Sequence, residues 1–168
     1  MHERDVLIDG FERLPDLVRS VANGLTPELL RWTPAPDANS IGWIVWHLAR
    51  IQDDHVAEVL GDEQEWSTGG WAPRFGLPAG TMDTGYGHVA ADVARVQPSG
   101  PDVLVAYYDA VARQTRRLLD ALTADALDRI VDERWDPPVT LGVRLVSVLA
   151  DDLQHVGQAA YVRGLLPG

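Results

Sequence analysis

Apolar residues recur at steps of three and four along three stretches of this chain, and that period dictates helices. Residues 4–23 carry Leu7, Phe11, Leu14, Val18 and Val21. Residues 41–60 carry Ile44, Leu48, Ile51 and Val59, with His47 and His55 on the same stripe. Residues 102–122 carry Leu104, Tyr107, Tyr108, Val111, Thr115, Leu118 and Leu122. The boundaries agree with the stripes. Asn23-Gly24 stops the first, Asn39-Ser40 caps the second and Gly61 ends it, and Pro101 opens the third. Thr140 caps a fourth helix over 141–165, closed near Gly164 and Pro167. Pro15 marks a kink or a break in the first. Thr26-Pro27-Glu28 and Thr123 open short turns, Pro34 and Pro36 stiffen a connector, and Ile130 to Thr140 reads as extended and proline-broken. The chain therefore reads as all-α: a four-helix bundle of two helical hairpins in a single domain, 1–168, with a long crossover loop between helices 2 and 3. Such a crossover lets the two helices it joins run parallel.

The crossover itself, residues 61–99, is rich in glycine and proline yet holds Trp66, Trp71, Phe75 and Tyr86. A connection this long that keeps its aromatics is expected to pack and to cover something. A weak repeat runs along the chain. Leu25-Thr26-Pro27-Glu28 parallels Leu122-Thr123-Ala124-Asp125, Ser40-Ile41-Gly42 parallels Thr140-Leu141-Gly142, and His55 parallels His155. It reads either as an internal duplication or as like caps selecting like residues.

Composition narrows the chemistry. The 168 residues suit one domain, and the formal charge of −11 argues against a nucleic-acid backbone or an anionic membrane as partner. There is no cysteine, which excludes a disulfide framework, a cysteine-ligated zinc site and a cysteine nucleophile. All 14 cationic side chains are arginine, a weak sign of a GC-rich genome. Any metal must be held by His, Asp or Glu. The charged start Met1-His2-Glu3-Arg4-Asp5 is no signal core, and the longest apolar run, Leu145 to Ala150 with Ser147 inside it, falls far short of the ~20 residues of a membrane helix. The cytoplasm is the expected location.

Few groups remain that can do chemistry. His47 sits in Trp43-Ile44-Val45-Trp46-His47-Leu48. It reads either as a core histidine bonded to a carbonyl or as a ligand. Asp151 and His155 stand one helical turn apart on one face of the fourth helix, the spacing of a local hydrogen bond or of a metal chelate. Their apolar setting favours a paired or metal-bound carboxylate. His47 lies seven residues beyond its cap, and Asp151 and His155 lie eleven and fifteen beyond theirs. In antiparallel helices of about 20 residues these depths come level. Two histidines and a carboxylate leave coordination positions open, as catalytic sites do. Asp54 and His55 lie two turns along the same side from His47; Asp54 reads as an outer partner, as a substitute ligand, or as part of a solvated helix end beside Asp53. Gln158 is placed to orient a ligand or touch substrate, and Arg163 suits a helix C-terminus. His88 and Tyr86 lie in the long loop, His88 lining either a pocket or a surface turn.

Asn39-Ser-Ile-Gly-Trp-Ile-Val-Trp-His47, followed by Asp151-Asp-Leu-Gln-His155-Val-Gly-Gln158, resembles the DinB/YfiT-like metalloprotein superfamily. The likeness spans nearly the whole chain. Thr84-Gly-Tyr-Gly-His88, Trp135-Asp-Pro-Pro-Val-Thr140 and the run from Gln154 to Gly164 look closest to its mycothiol-dependent S-transferase branch. The resemblance implies a divalent metal, zinc first and nickel second, held by His47, Asp151 and His155. Asp151 stands where the family more often has His or Glu, and its reach is shorter. It also implies mycothiol as cosubstrate. The metal favours its thiolate, which attacks an electrophile, so the enzyme needs no cysteine of its own. Gln158, Tyr86 and His88 are the expected substrate-binding residues, and Trp66, Trp71, Phe75 and Tyr86 the expected wall for an apolar electrophile. The expected partners are a small-molecule thiol and an electrophile, with no nucleic acid and no membrane; a homodimer is the family's habit. Rival readings are a thiol-dependent maleylpyruvate-type isomerase, a metal-dependent hydrolase or iron oxygenase, and a non-catalytic stress or binding protein on the same bundle.

Overall fold

Ser40 and Thr140 act as the caps their positions suggest. The Ser40 hydroxyl accepts from Trp43 N at 3.2 Å and the Thr140 hydroxyl from Val143 N at 3.3 Å, each satisfying an orphan donor of a first turn. The computed structural model describes residues 2–167. Its helices are α1 (Glu3–Ala22), the short α2 (Pro27–Arg31), α3 (Ile41–Leu60), the short α4 (Glu65–Thr68) and α5 (Ala90–Val93), α6 (Pro101–Asp120) and α7 (Leu141–Gly164). Between α6 and α7, β1 (Ile130–Asp132) pairs antiparallel with β2 (Val139–Thr140), Ile130 opposite Thr140 and Asp132 opposite Val139. Pro15 does not break α1, because Phe11, Leu14 and Val18 on either side of it are held in the core.

The four long helices form the expected bundle. Residue pairs fix its directions. Asp53 meets Tyr107 and Asp62 meets Arg117, so α3 and α6 run parallel. His47 meets His155 and His55 meets Arg144, so α3 and α7 run antiparallel. The packed seams are α3–α7, α3–α6, α1–α6 and α1–α7. The two long helices of each expected hairpin therefore stand across the bundle diagonal rather than side by side. At the α1–α7 seam a Cβ on Gly10 would lie 2.5 Å from Leu149 Cδ2, so a larger residue there requires the half-buried Leu149 side chain to turn aside.

Every residue from Ser40 to Arg50 is buried, which explains why the start of α3 is apolar on all faces rather than along one stripe. The crossover covers its outer side. Trp66 packs edge-on to Trp46 at 6.1 Å between ring centroids and to Tyr107 at 5.2 Å, and Phe75 and Trp71 close on the same Tyr107. This corrects the expectation of an aromatic wall. Trp66, Trp71 and Phe75 are spent on the core, and only Tyr86, 90% exposed, faces solvent. Among the described residues no helix is long and apolar enough to cross a membrane.

Candidate metal centre

The antiparallel α3–α7 seam brings His47 level with Asp151 and His155. One ligand atom from each lies within 4.8 Å of the other two. The rings of His47 and His155 meet edge-on, 4.8 Å between centroids and 83° between planes. Asp151 Oδ1 stands 3.6 Å from His155 Nε2, beyond hydrogen-bonding range. The local helical hydrogen bond that the spacing alone allowed is thus not formed, and the group converges on a shared point instead.

The outer nitrogens explain how each imidazole is held. His47 Nδ1 donates to the Thr84 carbonyl at 2.5 Å, which leaves Nε2 as the lone-pair nitrogen. His155 Nδ1 donates to Gln158 Oε1 at 3.0 Å, which does the same for its Nε2. Trp43 stacks on the His47 ring, 4.7 Å away and tilted by 14°. Burial holds the His47 imidazole below its ordinary pKa, against the pull of the Thr84 bond, and so favours the neutral form that ligates metals.

Those observations test whether the residues fit a cation. Asp151 Oδ2 is buried without a hydrogen-bond partner among the described residues, a costly state for a carboxylate oxygen unless a cation or donor meets it. Two imidazole nitrogens and one carboxylate suit zinc, nickel or non-haem iron. The donor set fits a divalent cation. Replacing Gln158 by Leu is expected to weaken metal binding about tenfold or more by freeing the His155 ring. Competition titration against a chromophoric chelator measures this.

The second half of the crossover supplies the rest of the support. Asp83 Oδ1 accepts from Gly85 N at 2.8 Å, and its Oδ2 accepts from His88 Nε2 at 2.6 Å. His88 Nδ1 in turn accepts from Trp43 Nε1 at 3.0 Å. His88 thus braces Trp43, with its ring also stacked on Trp46. Tyr86 is not brought to the cluster; it projects from the turn between them. Gly85 has φ +92°, and a Cβ there would lie 2.8 Å from Trp46 Cζ3 and 2.9 Å from His47 Nδ1.

His55 and Asp54 do not join the centre. The His55 ring faces Arg144, whose Nη1 lies 3.0 Å from Nδ1, and Asp54 accepts from Gln64 Nε2 at 2.6 Å. His55 is therefore no counterpart of His155, and the apparent repeat reduces to its caps. Arg163 reaches past its own helix end to the carbonyls of Val21 and Asn23, closing the C-terminus of α1.

The sequence reading passed over the largest polar feature near the site. Arg50 and Asp53 are both fully buried, with Nη1 3.4 Å from Oδ2. Asp53 also accepts from Tyr107 Oη at 2.8 Å and from the backbone N–H groups of Glu65 and Trp66. Burial raises the Asp53 carboxyl above its ordinary range, and the Trp66, Tyr107 and Glu65 donors and Arg50 oppose that. The available signal was an arginine flanked by Ala49 and Ile51 at the end of a wholly apolar run, a charge that must find buried partners.

Comparison with protein families matches residues 10–159 to the DinB superfamily. Among solved structures, the chain is similar to a conserved protein of Enterococcus faecalis, described as the conserved protein of a locus. The two are 29% identical, with a TM-score of 0.87, over 97% of this chain and 96% of that one. No curated protein matches the chain significantly.

Proposed function

The chain belongs to the DinB superfamily, and from that premise we propose that it is a divalent-metal-dependent S-transferase. It joins a low-molecular-weight thiol, mycothiol, to a small electrophile. The observation that carries the reading is the convergence of His47, Asp151 and His155 in a chain with no cysteine. The chain offers a site for a cation and no thiol of its own, so a sulfur nucleophile must arrive as cosubstrate. A divalent cation held there, zinc first and nickel second, supplies Lewis acidity that lowers the pKa of a coordinating thiol.

The protein's own groups set the conditions. His47 and His155 present lone-pair nitrogens because Thr84 and Gln158 take their other N–H groups. Asp151 contributes the single negative charge of the ligand set. Trp43 covers one face of His47 and keeps water from it. In the overall transfer the thiol sulfur forms a bond to the electrophilic carbon. The leaving group departs with its electron pair, and the thiol proton passes to solvent. Gln158 stays a positioning residue, while Tyr86, exposed on the adjoining turn, is placed to meet a cosubstrate at the rim.

The isomerase alternative needs an arginine free to hold a diacid. All three arginines of α3 and α7 are engaged internally: Arg50 with Asp53 and loop carbonyls, Arg144 with Asp132 and His55, and Arg163 with the end of α1. The transferase reading is therefore preferred. The test is to measure bound metal in the purified protein, then assay a panel of thiols with a generic electrophile before and after chelation. Activity with mycothiol that chelation abolishes and zinc or nickel restores is expected. A wild type that binds no metal, or a His47→Ala, His155→Ala double variant that keeps its metal, overturns the assignment.

A further inference from the structure

The Thr84 carbonyl that receives His47 Nδ1–H is itself held by nothing on its own residue. It is fixed by what precedes it. Arg50, one turn beyond His47 on α3, donates from Nη2 to the Met82 carbonyl at 3.2 Å and from Nε to the Asp83 carbonyl at 3.1 Å. Its remaining donors go to Gln64 Oε1 at 2.8 Å, Tyr107 Oη at 3.2 Å and Asp53 Oδ2 at 3.4 Å. The guanidinium also lies over the Trp66 ring, 4.9 Å from its centroid. All three of its nitrogens are thus spent, and two of them grip consecutive backbone carbonyls just before Thr84.

We propose that Arg50 is a positioning residue for the metal centre, gripping the Met82–Asp83 backbone so that Thr84 holds His47 in the tautomer with Nε2 free. The inference rests on the reading of His47 as a metal ligand. A buried charge of this kind is costly, and replacing such a pair by apolar groups is often neutral for stability. What an apolar replacement cannot supply is the planar fork. Two parallel donors fix two carbonyls in one plane, and a lysine ammonium, a single point on a flexible stem, cannot. The downstream side of the loop is fixed separately, through Asp83 to His88 and Trp43. Arg50 therefore controls the upstream side alone, and its loss lets the Thr84 carbonyl drift from the ring. The His155 ring is held by Gln158 on a different helix and serves as an internal control.

The test reads the tautomers in metal-free protein. Long-range proton–nitrogen NMR correlations of the imidazoles at pH 8 show which ring nitrogen carries the proton, with no need for metal or turnover. Wild type is expected to show His47 and His155 both protonated at Nδ1. Arg50→Lys keeps the charge beside Asp53 and loses the fork. It is expected to turn His47 into a mixture of tautomers, leave His155 unchanged, and weaken zinc binding about tenfold or more. Arg50→Met is expected to do the same. A folded Arg50→Lys or Arg50→Met protein whose His47 tautomer and zinc affinity match wild type overturns the proposal. Should neither variant fold, Gln64→Leu removes one partner from the guanidinium at a half-buried position. A His47 tautomer mixture is then expected, and an unchanged ring overturns the proposal. A wild type that binds no zinc but shows the locked His47 refutes the metal reading while leaving the role of Arg50 standing.

Discussion

Gly85→Ala is expected to cost about 3 kcal/mol of stability and to weaken metal binding about a hundredfold. Two causes add. The backbone at Gly85 has φ +92°, which an L side chain adopts only with strain of about 1–2 kcal/mol. The new methyl would also lie 2.8 Å from Trp46, 2.9 Å from His47 Nδ1 and 3.1 Å from Trp43. All three are buried rings with no free direction to move, and overpacking of this kind costs about 1–3 kcal/mol. The displaced group is the ring nitrogen bonded to Thr84, so the damage passes straight to the cluster. Gly87→Ala is the control. Gly87 also has a positive φ, +75°, but a Cβ there meets nothing within 4 Å. It should pay only the backbone strain and leave metal binding intact. Urea unfolding and metal titration of the two variants, side by side, measure both effects.

Asp152→Asn is expected to stabilise the metal-free protein by about 2 kcal/mol at pH 7, because folding then no longer has to put back a proton that the unfolded carboxylate has released. Asp152 is fully buried, and neither carboxylate oxygen has a hydrogen-bond partner among the described residues. Burial raises its pKa well above the ordinary carboxylate value, and the neighbouring Asp151 adds to this. The sign follows by linkage. Below the ordinary value both folded and unfolded chains carry the proton, and the group costs nothing extra. As pH rises through the ordinary range, the unfolded chain releases the proton and the folded one keeps it, so stability falls. The isosteric amide does not titrate. Its advantage is therefore expected at pH 7 and should shrink toward zero near pH 3, as urea unfolding at both pH values will show. A gain of equal size at both would mean packing, not ionisation, is responsible.

The helices and their caps were legible because they are local. Spacing, Ser40, Thr140 and the Thr26-Pro27 turn act within a few residues, and α3 begins and ends where the pattern put it. The direction of α6 and α7 was legible from the length of the crossover, and with it the levelling of His47 with Asp151 and His155. What stayed hidden depends on partners far apart in sequence. The aromatic residues of 61–99 read equally well as a pocket wall or as core, and only Tyr107, on another helix, decides between them. His88 read as a pocket or surface residue because its partner Trp43 is 45 residues away. Asp53 drew no reading of its own because nothing local shows that Arg50, Tyr107 and the start of α4 close over it. Composition flagged the absence of thiols but could not place Arg50, the one buried arginine among the described residues.

The crossover anchored on Tyr107 bears on how a ligand would reach the proposed metal centre. Swinging it aside would bare Trp66, Trp71 and Phe75 together, at about 2 kcal/mol or more apiece. A penalty of about 6 kcal/mol leaves roughly one molecule in ten thousand open at any moment. Traffic to the α3–α7 seam therefore cannot wait on that segment as a gate. A ligand of the proposed metal centre is therefore expected to approach by the exposed Tyr86 turn, with Trp66, Trp71 and Phe75 left in place.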